Sequence, residues 1–190
     1  MSKRMNPPGA PFAPRNLVLV AMIALAVGVR LVIHFMPGLL PYNFTPVEAI
    51  ALFGGAFFAD RRLALLVPLG AMFLSDLVIG LHPLIPLIYA CIALTVWAGG
   101  ALRQRASAVR VAVAAVASTT GFFLVTNFAV WLTSGMYPLT GSGLGACFAA
   151  GIPFYQWQLL GSLGWSAALF GGFALLSQRY GALKAQPQAA

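Results

Sequence analysis

The sequence predicts an all-α, polytopic membrane bundle of six transmembrane helices with both termini cytoplasmic. Three observations carry that expectation. Of 190 residues, 61% are hydrophobic and only 7% are charged, whereas a soluble domain carries about 25% charged side chains. Apolar residues are gathered into six long runs, not into the alternating ten-residue segments of a membrane barrel. Ten of the eleven Lys and Arg cluster at alternate ends of the runs, Arg30 being the exception. The same composition excludes a disordered chain, which needs low hydrophobicity and many charges. A collagen-like or disulfide-scaffold chain is excluded as well, since Gly has no three-residue period and there are two Cys.

Crossing about 30 Å of hydrocarbon takes roughly 20 apolar residues in a helix. The runs that qualify are 17–36, 46–59, 63–81, 84–102, 109–133 and 154–176. The second is short and interrupted by Gly54 and Gly55. Domain organisation follows directly: a tail over 1–16, a six-helix domain over 17–176 and a tail over 177–190. The first run is too long for the apolar core of a signal peptide, contains Arg30 and lacks a small-residue cleavage site.

Orientation comes from Lys and Arg. Lys3, Arg4 and Arg15 precede the first run, Arg61 and Arg62 separate the second and third, Arg103, Arg105 and Arg110 separate the fourth and fifth, and Arg179 and Lys184 follow the sixth. The other three connections, 37–45, 82–83 and 134–153, contain no Lys or Arg. The positive-inside rule then places both termini in the cytoplasm of a cell whose inner (cytoplasmic) membrane the chain spans. The net charge of +8 is thus a topological signal directed at lipid headgroups, with no nucleic acid implied.

Inside a bilayer an ionisable side chain is costly and is a functional-site candidate by default. With this topology Arg30 and His34 lie in the outer half of the first helix, Glu48 at the outer end of the second and Asp76 near the outer end of the third. Asn127 and Trp131 close the fifth helix, and Tyr155, Gln156, Trp157 and Gln158 open the sixth. The polar residues of five helices therefore converge on the outer leaflet. As structural glue, Arg30 pairs with Asp76 or with Glu48. As a binding site, Arg30, His34, Glu48, Asp76, Asn127, Trp131, Tyr155 and Gln156 line a pocket open to the outside. One cation against two acids favours a neutral or zwitterionic small-molecule ligand over an anionic one. The uncharged Gly- and Pro-rich connections 37–46 and 134–153 are apolar enough to fold back over the bundle as a lid.

No catalytic residue, metal site or cofactor is expected. His34 and His82 lack a third ligand, no nucleophile motif accompanies Glu48 and Asp76, and Cys91 reads as a small hydrophobe. Gly141-Ser-Gly143-Leu-Gly145 follows no strand and is not a dinucleotide fingerprint. Small residues four apart, such as Ala24 and Gly28 or Gly55 and Ala59, mark close helix approaches.

The segments Asn43-Phe44-Thr45-Pro46-Val47-Glu48-Ala49, Leu52-Phe53-Gly54-Gly55-Ala56, Ser75-Asp76-Leu77, Thr126-Asn127-Phe128-Ala129-Val130-Trp131, Tyr137-Pro138 and Gly151-Ile152-Pro153-Phe154 resemble a family of uncharacterised bacterial membrane proteins, over roughly residues 17–176. That family in turn resembles the substrate-binding (S) components of energy-coupling-factor vitamin transporters. The resemblance implies capture of a micronutrient at the outer face for uptake. It also implies docking to an energising module through a small-residue face of the first helix, here approximated by Ala24 and Gly28. The alternative is a structural or assembly protein in which the polar cluster ties helices together and no ligand binds.

Overall fold

The computed structural model describes residues 14–179, so Lys3, Arg4 and Lys184 and most of the two expected tails lie outside the described residues. Among the described residues six helices follow one another: α1 (Pro14–Phe35), α2 (Val47–Phe57), α3 (Arg61–Ile79), α4 (Ile85–Gly100), α5 (Ala108–Thr133) and α6 (Gly141–Arg179), with no strand. α1, α3, α5 and α6 are long and apolar enough to cross a membrane. At about 1.5 Å per residue, α2 and α4 reach only about 16 Å and 24 Å. Leu66, Trp97, Val109, Val113 and Leu160 are exposed on the outer faces, an apolar surface far larger than a soluble monomer tolerates. The chain is a membrane-type helical protein.

α2 is the axis of the bundle. Val47 to Gly55 are all buried, with only slight exposure at Phe53, and α3, α4, α5 and α6 surround it. α5 and α6 form the most extensive helix pair, and α1 rests chiefly on α3. A helix apolar on every side suits enclosure by other helices as well as it suits the core of a bilayer, which is why a run too short to span is apolar all round.

Gly54 and Gly55 do not break α2. A side chain at Gly55 would lie 2.0 Å from the carbonyl oxygen of Val96, and one at Gly99 would lie 2.3 Å from that of Leu52. α2 and α4 thus touch backbone to backbone, with Gly99 as the partner the sequence pattern leaves unpaired. At the far end of α2 the carbonyls of Gly55 and Phe58 accept from Arg103 Nε at 2.8 Å and Nη2 at 2.7 Å. Arg110 Nη2 similarly reaches the carbonyl of Ala101, just past α4, at 3.1 Å. Buried helix ends leave carbonyls without intrahelical donors, so two arginines expected only to meet lipid headgroups also close the short helices.

The second correction concerns residues 141–153, expected as part of a loop. They form the first turns of α6, a single helix of 39 residues; the connection is only 134–140. Thr140 caps it, its Oγ1 accepting from Gly143 N at 3.1 Å. Gly143, Cys147 and Gly151 then face inward, with Gly151 against Asn127 and Phe123 of α5. Glycine's poor helix propensity in water is outweighed where the alternative is unpaired backbone in an apolar medium.

Replacing Gly55 or Gly99 with Ala should cost about 1–3 kcal/mol through overpacking against backbone. Gly28→Ala and Gly121→Ala, where nothing lies within 4 Å, should be neutral. Thermal unfolding of the four variants in one detergent distinguishes them, and equal midpoints would contradict the close α2–α4 contact.

Candidate functional site

Two polar triads sit in the half of the bundle nearest the uncharged connections. The first joins α1, α3 and α4. Arg30 forms an ion pair through Nη2 with Asp76 Oδ1 and donates from Nε to Ser75 Oγ at 2.6 Å and from Nη1 to Met72 Sδ at 3.0 Å. Tyr89 donates its hydroxyl to Asp76 Oδ2 at 2.9 Å, so both carboxylate oxygens are occupied. Ser75 itself donates back to the Ala71 and Met72 carbonyls at 2.9 Å, leaving its lone pairs for Arg30. Of the two partners open to Arg30 from sequence, Asp76 is the one it pairs with.

The second triad joins α2, α5 and α6. Glu48, 5% exposed, accepts from Thr119 Oγ1 at 2.7 Å through Oε2 and from Gln158 Nε2 at 2.9 Å through Oε1. Both donors are neutral. A carboxylate in the first turn of α2 also faces the positive end of the helix dipole.

Between the triads lies a cavity of about 80 Å³, lined by Arg30, Asn43, Thr45, Glu48, Met72 and Gln158 together with apolar side chains of α2, α4 and α5. Its roof is the α1–α2 connection. Asn43 takes the left-handed conformation at φ 65°, which Asn adopts more readily than most residues, and this turn brings Asn43 and Thr45 over the cavity. Phe44 lies on Gly161 of α6 and against Trp165, with ring centroids 6.2 Å apart, and Tyr42 meets Phe154 at 6.3 Å. The connection 37–46 therefore reaches across the bundle from α1 to α6, as a covering loop would.

Not all of the sequence-predicted residues gather here. Arg30, Glu48 and Asp76 do. Tyr155 lies one layer away, its hydroxyl 2.8 Å from Thr120 Oγ1 and its ring stacked on Phe123. Asn127 donates to the Phe123 carbonyl of its own helix at 2.9 Å and packs against Gly151 of α6, and Trp131 Nε1 donates to the Pro138 carbonyl of the α5–α6 connection at 3.0 Å. His34 and Gln156 are exposed, and His34 meets its neighbour Phe35 edge to face. The α6 residue at the cavity is Gln158. Its signal was in the sequence: Gly151, Gln158, Ser162 and Ser166 share one helical face once 141–179 is read as a single helix, whereas Gln156 lies on another. Thr119 and Tyr89 carry no motif, Ser75 was quoted only as a neighbour of Asp76, and only the fold shows their role. Cys91 and Cys147 are both buried free thiols. Among the described residues no group of three His, Cys, Asp or Glu side chains comes together.

A family profile described as a family of unknown function (DUF6580) matches residues 11–187. The chain belongs to that family. No curated protein and no solved structure matches it. The matched span includes all six helices and both triads, so the family and the bundle are coextensive.

Removing one member of a buried pair strands the other, at a cost on the order of 3–5 kcal/mol. Asp76→Leu or Arg30→Met alone should therefore destabilise the bundle strongly. The double variant, which removes both charges, should recover much of the loss, as read by thermal melts of all four proteins. Additive losses would mean the two side chains do not depend on each other.

Proposed function

We propose that this protein is a membrane-embedded solute-binding protein serving uptake, in the manner of a transporter S component, with the cavity between the two triads as its binding site. The observation that supports this best is the charge imbalance of the lining. Arg30 is answered by Asp76, while Glu48 is held only by the neutral donors Thr119 and Gln158. The cavity thus presents one carboxylate without a cation, and its best occupant is a small neutral or cationic solute rich in hydrogen-bond donors. Asn43, Thr45, Gln158 and Arg30 supply further polar contacts around it.

Size narrows the choice. A liquid water occupies about 30 Å³, and pockets for drug-sized ligands run to about 300–1,000 Å³. A cavity of about 80 Å³ holds an ammonium, methylammonium or guanidinium ion. A vitamin-sized micronutrient requires the 37–46 connection to lift off α6, and the contacts to be broken are the Phe44–Trp165 and Tyr42–Phe154 pairs. In this reading the loop faces outward from the inner membrane, as the distribution of Lys and Arg favours. Ala24 and Gly28 are both exposed on α1, on a helix whose main neighbour is α3, and that free small-residue face suits docking to an energising module. The role is one of binding and transfer, with no bond made or broken.

One observation favours a second reading. Both oxygens of each triad carboxylate are bonded to other helices, so the same groups serve as structural ties in a membrane assembly protein that takes no ligand. Thermal shift separates the readings, since a ligand at 100 times its Kd stabilises by about 2.7 kcal/mol. With ammonium, methylammonium, guanidinium and a set of water-soluble vitamins as probes, at least one should raise the melting temperature of the purified protein. The rise should vanish in Glu48→Gln. No shift with any probe, together with no small molecule released from the purified protein on denaturation, would favour the structural role.

A further inference from the structure

Hydroxyls buried in helices normally donate back to a carbonyl three or four residues earlier. In this chain the buried Ser75 and Thr95 do so, as does the half-buried Thr126. Ser162 and Ser166 do not. Each is 1% exposed, and neither hydroxyl has a hydrogen-bond partner, nor does the buried indole nitrogen of Trp165 between them. An unpaired buried polar group costs about 1–3 kcal/mol, and three within five residues is a concentration that native interiors resolve with bound water.

Their position gives the water a purpose. Gln158, Ser162 and Ser166 follow one another at four-residue spacing along one face of α6, covering roughly 12 Å of depth. Gln158 lines the cavity at Glu48. Ser166 lines a second, larger cavity of about 330 Å³, walled otherwise by small and apolar residues from Ala106 to Ala112 of the α4–α5 connection and α5, and from Leu163 to Ala174 of α6. That cavity lies at the arginine-bearing end, beside Arg105 and Arg110 in the chain. Over the same depth α5 contributes Thr119 and Ala115, both fully buried and both small. Ser162, between Gln158 and Ser166 on α6, lies beside the Glu48 carboxylate.

We propose that Ser162 and Ser166 line a hydrated half-channel along the α5–α6 interface, which connects the Glu48 site to water at the arginine-bearing end of the bundle. It gives a solute at Glu48 a polar route away from the 37–46 loop. The occupant inferred is water, so the channel stands or falls independently of whether any solute binds.

Cysteine accessibility tests it. In a chain carrying Cys91→Ala and Cys147→Ala, single Ser166→Cys and Ser162→Cys variants are treated in sealed membrane vesicles with a small, charged methanethiosulfonate that does not cross bilayers. Ser166→Cys should react at least tenfold faster than Ala71→Cys, a fully buried position on α3, with Ser162→Cys between them. Reaction should occur only from the side that also labels Gln104→Cys in the α4–α5 connection. Ala112→Phe, which fills the wall of the second cavity, should slow Ser162→Cys at least tenfold. Rates equal to that of Ala71→Cys, labelling from the opposite side, or indifference to Ala112→Phe would each overturn the half-channel. Should the cysteine variants fail to purify as single species, radiolytic hydroxyl labelling of the unsubstituted protein reads the same water. Trp165 should then be oxidised well above the core residue Phe53, and equal oxidation would overturn the proposal.

Discussion

A short helix enclosed by protein along all but its last residue is the constraint on which the rest of this structure depends. α2 cannot span a bilayer, and buried N–H and C=O groups at its ends have no water to turn to. Both ends must be finished by protein. Arg103 does this at one end with two hydrogen bonds. At the other, Glu48 sits in the first turn and is held by α5 and α6. Once α2 is enclosed, its neighbours have little choice of position. α4 must come close enough for glycine to meet backbone, and α3 must present Asp76 to the side from which Arg30 arrives.

The two triads are the consequence of putting charge into that enclosure. Each uses three helices to surround one carboxylate, and each is built differently. Asp76 is met by a cation and a phenol, which leaves a neutral unit. Glu48 is met by a hydroxyl and an amide, which leaves an acid without a cationic partner in the same cavity that Arg30 borders. Pure structural ties do not require that difference, because a neutral amide at position 48 would tie the same helices without the cost of burying an unpaired charge. The imbalance is the feature on which the proposed binding role rests.

Much of this was legible in the residues. Composition and the alternation of arginines with apolar runs pointed to six helices, and the charged members of the two triads, Arg30, Glu48 and Asp76, stand out simply because charge in such a chain is rare. The start of α6 was hidden because glycine and proline, read by their behaviour in water, signal a loop. Gln158 was hidden with it, since its helical face is apparent only when Gly151 and Ser162 belong to the same helix. Thr119 and Tyr89 were illegible for a different reason: a lone hydroxyl on an apolar helix gives no sign of which carboxylate, 71 or 13 residues away, it will meet. Arg103 and Arg110 were read for their charge alone, and their geometry at helix ends depends on where α2 and α4 stop.

The contact between Gly55 and Gly99 limits how the protein can move. Where two helices meet through side chains, one can slide or tilt as rotamers exchange; where backbones abut, there is no such slack. α2 and α4 therefore behave as a single rigid pillar, and Glu48 is fixed to it. Any opening of the bundle has to be a displacement of other parts relative to that pillar: the 37–46 loop, α1 with α3, or the α5–α6 pair. Glu48 is then the fixed point of the proposed site, reached only by moving what surrounds it.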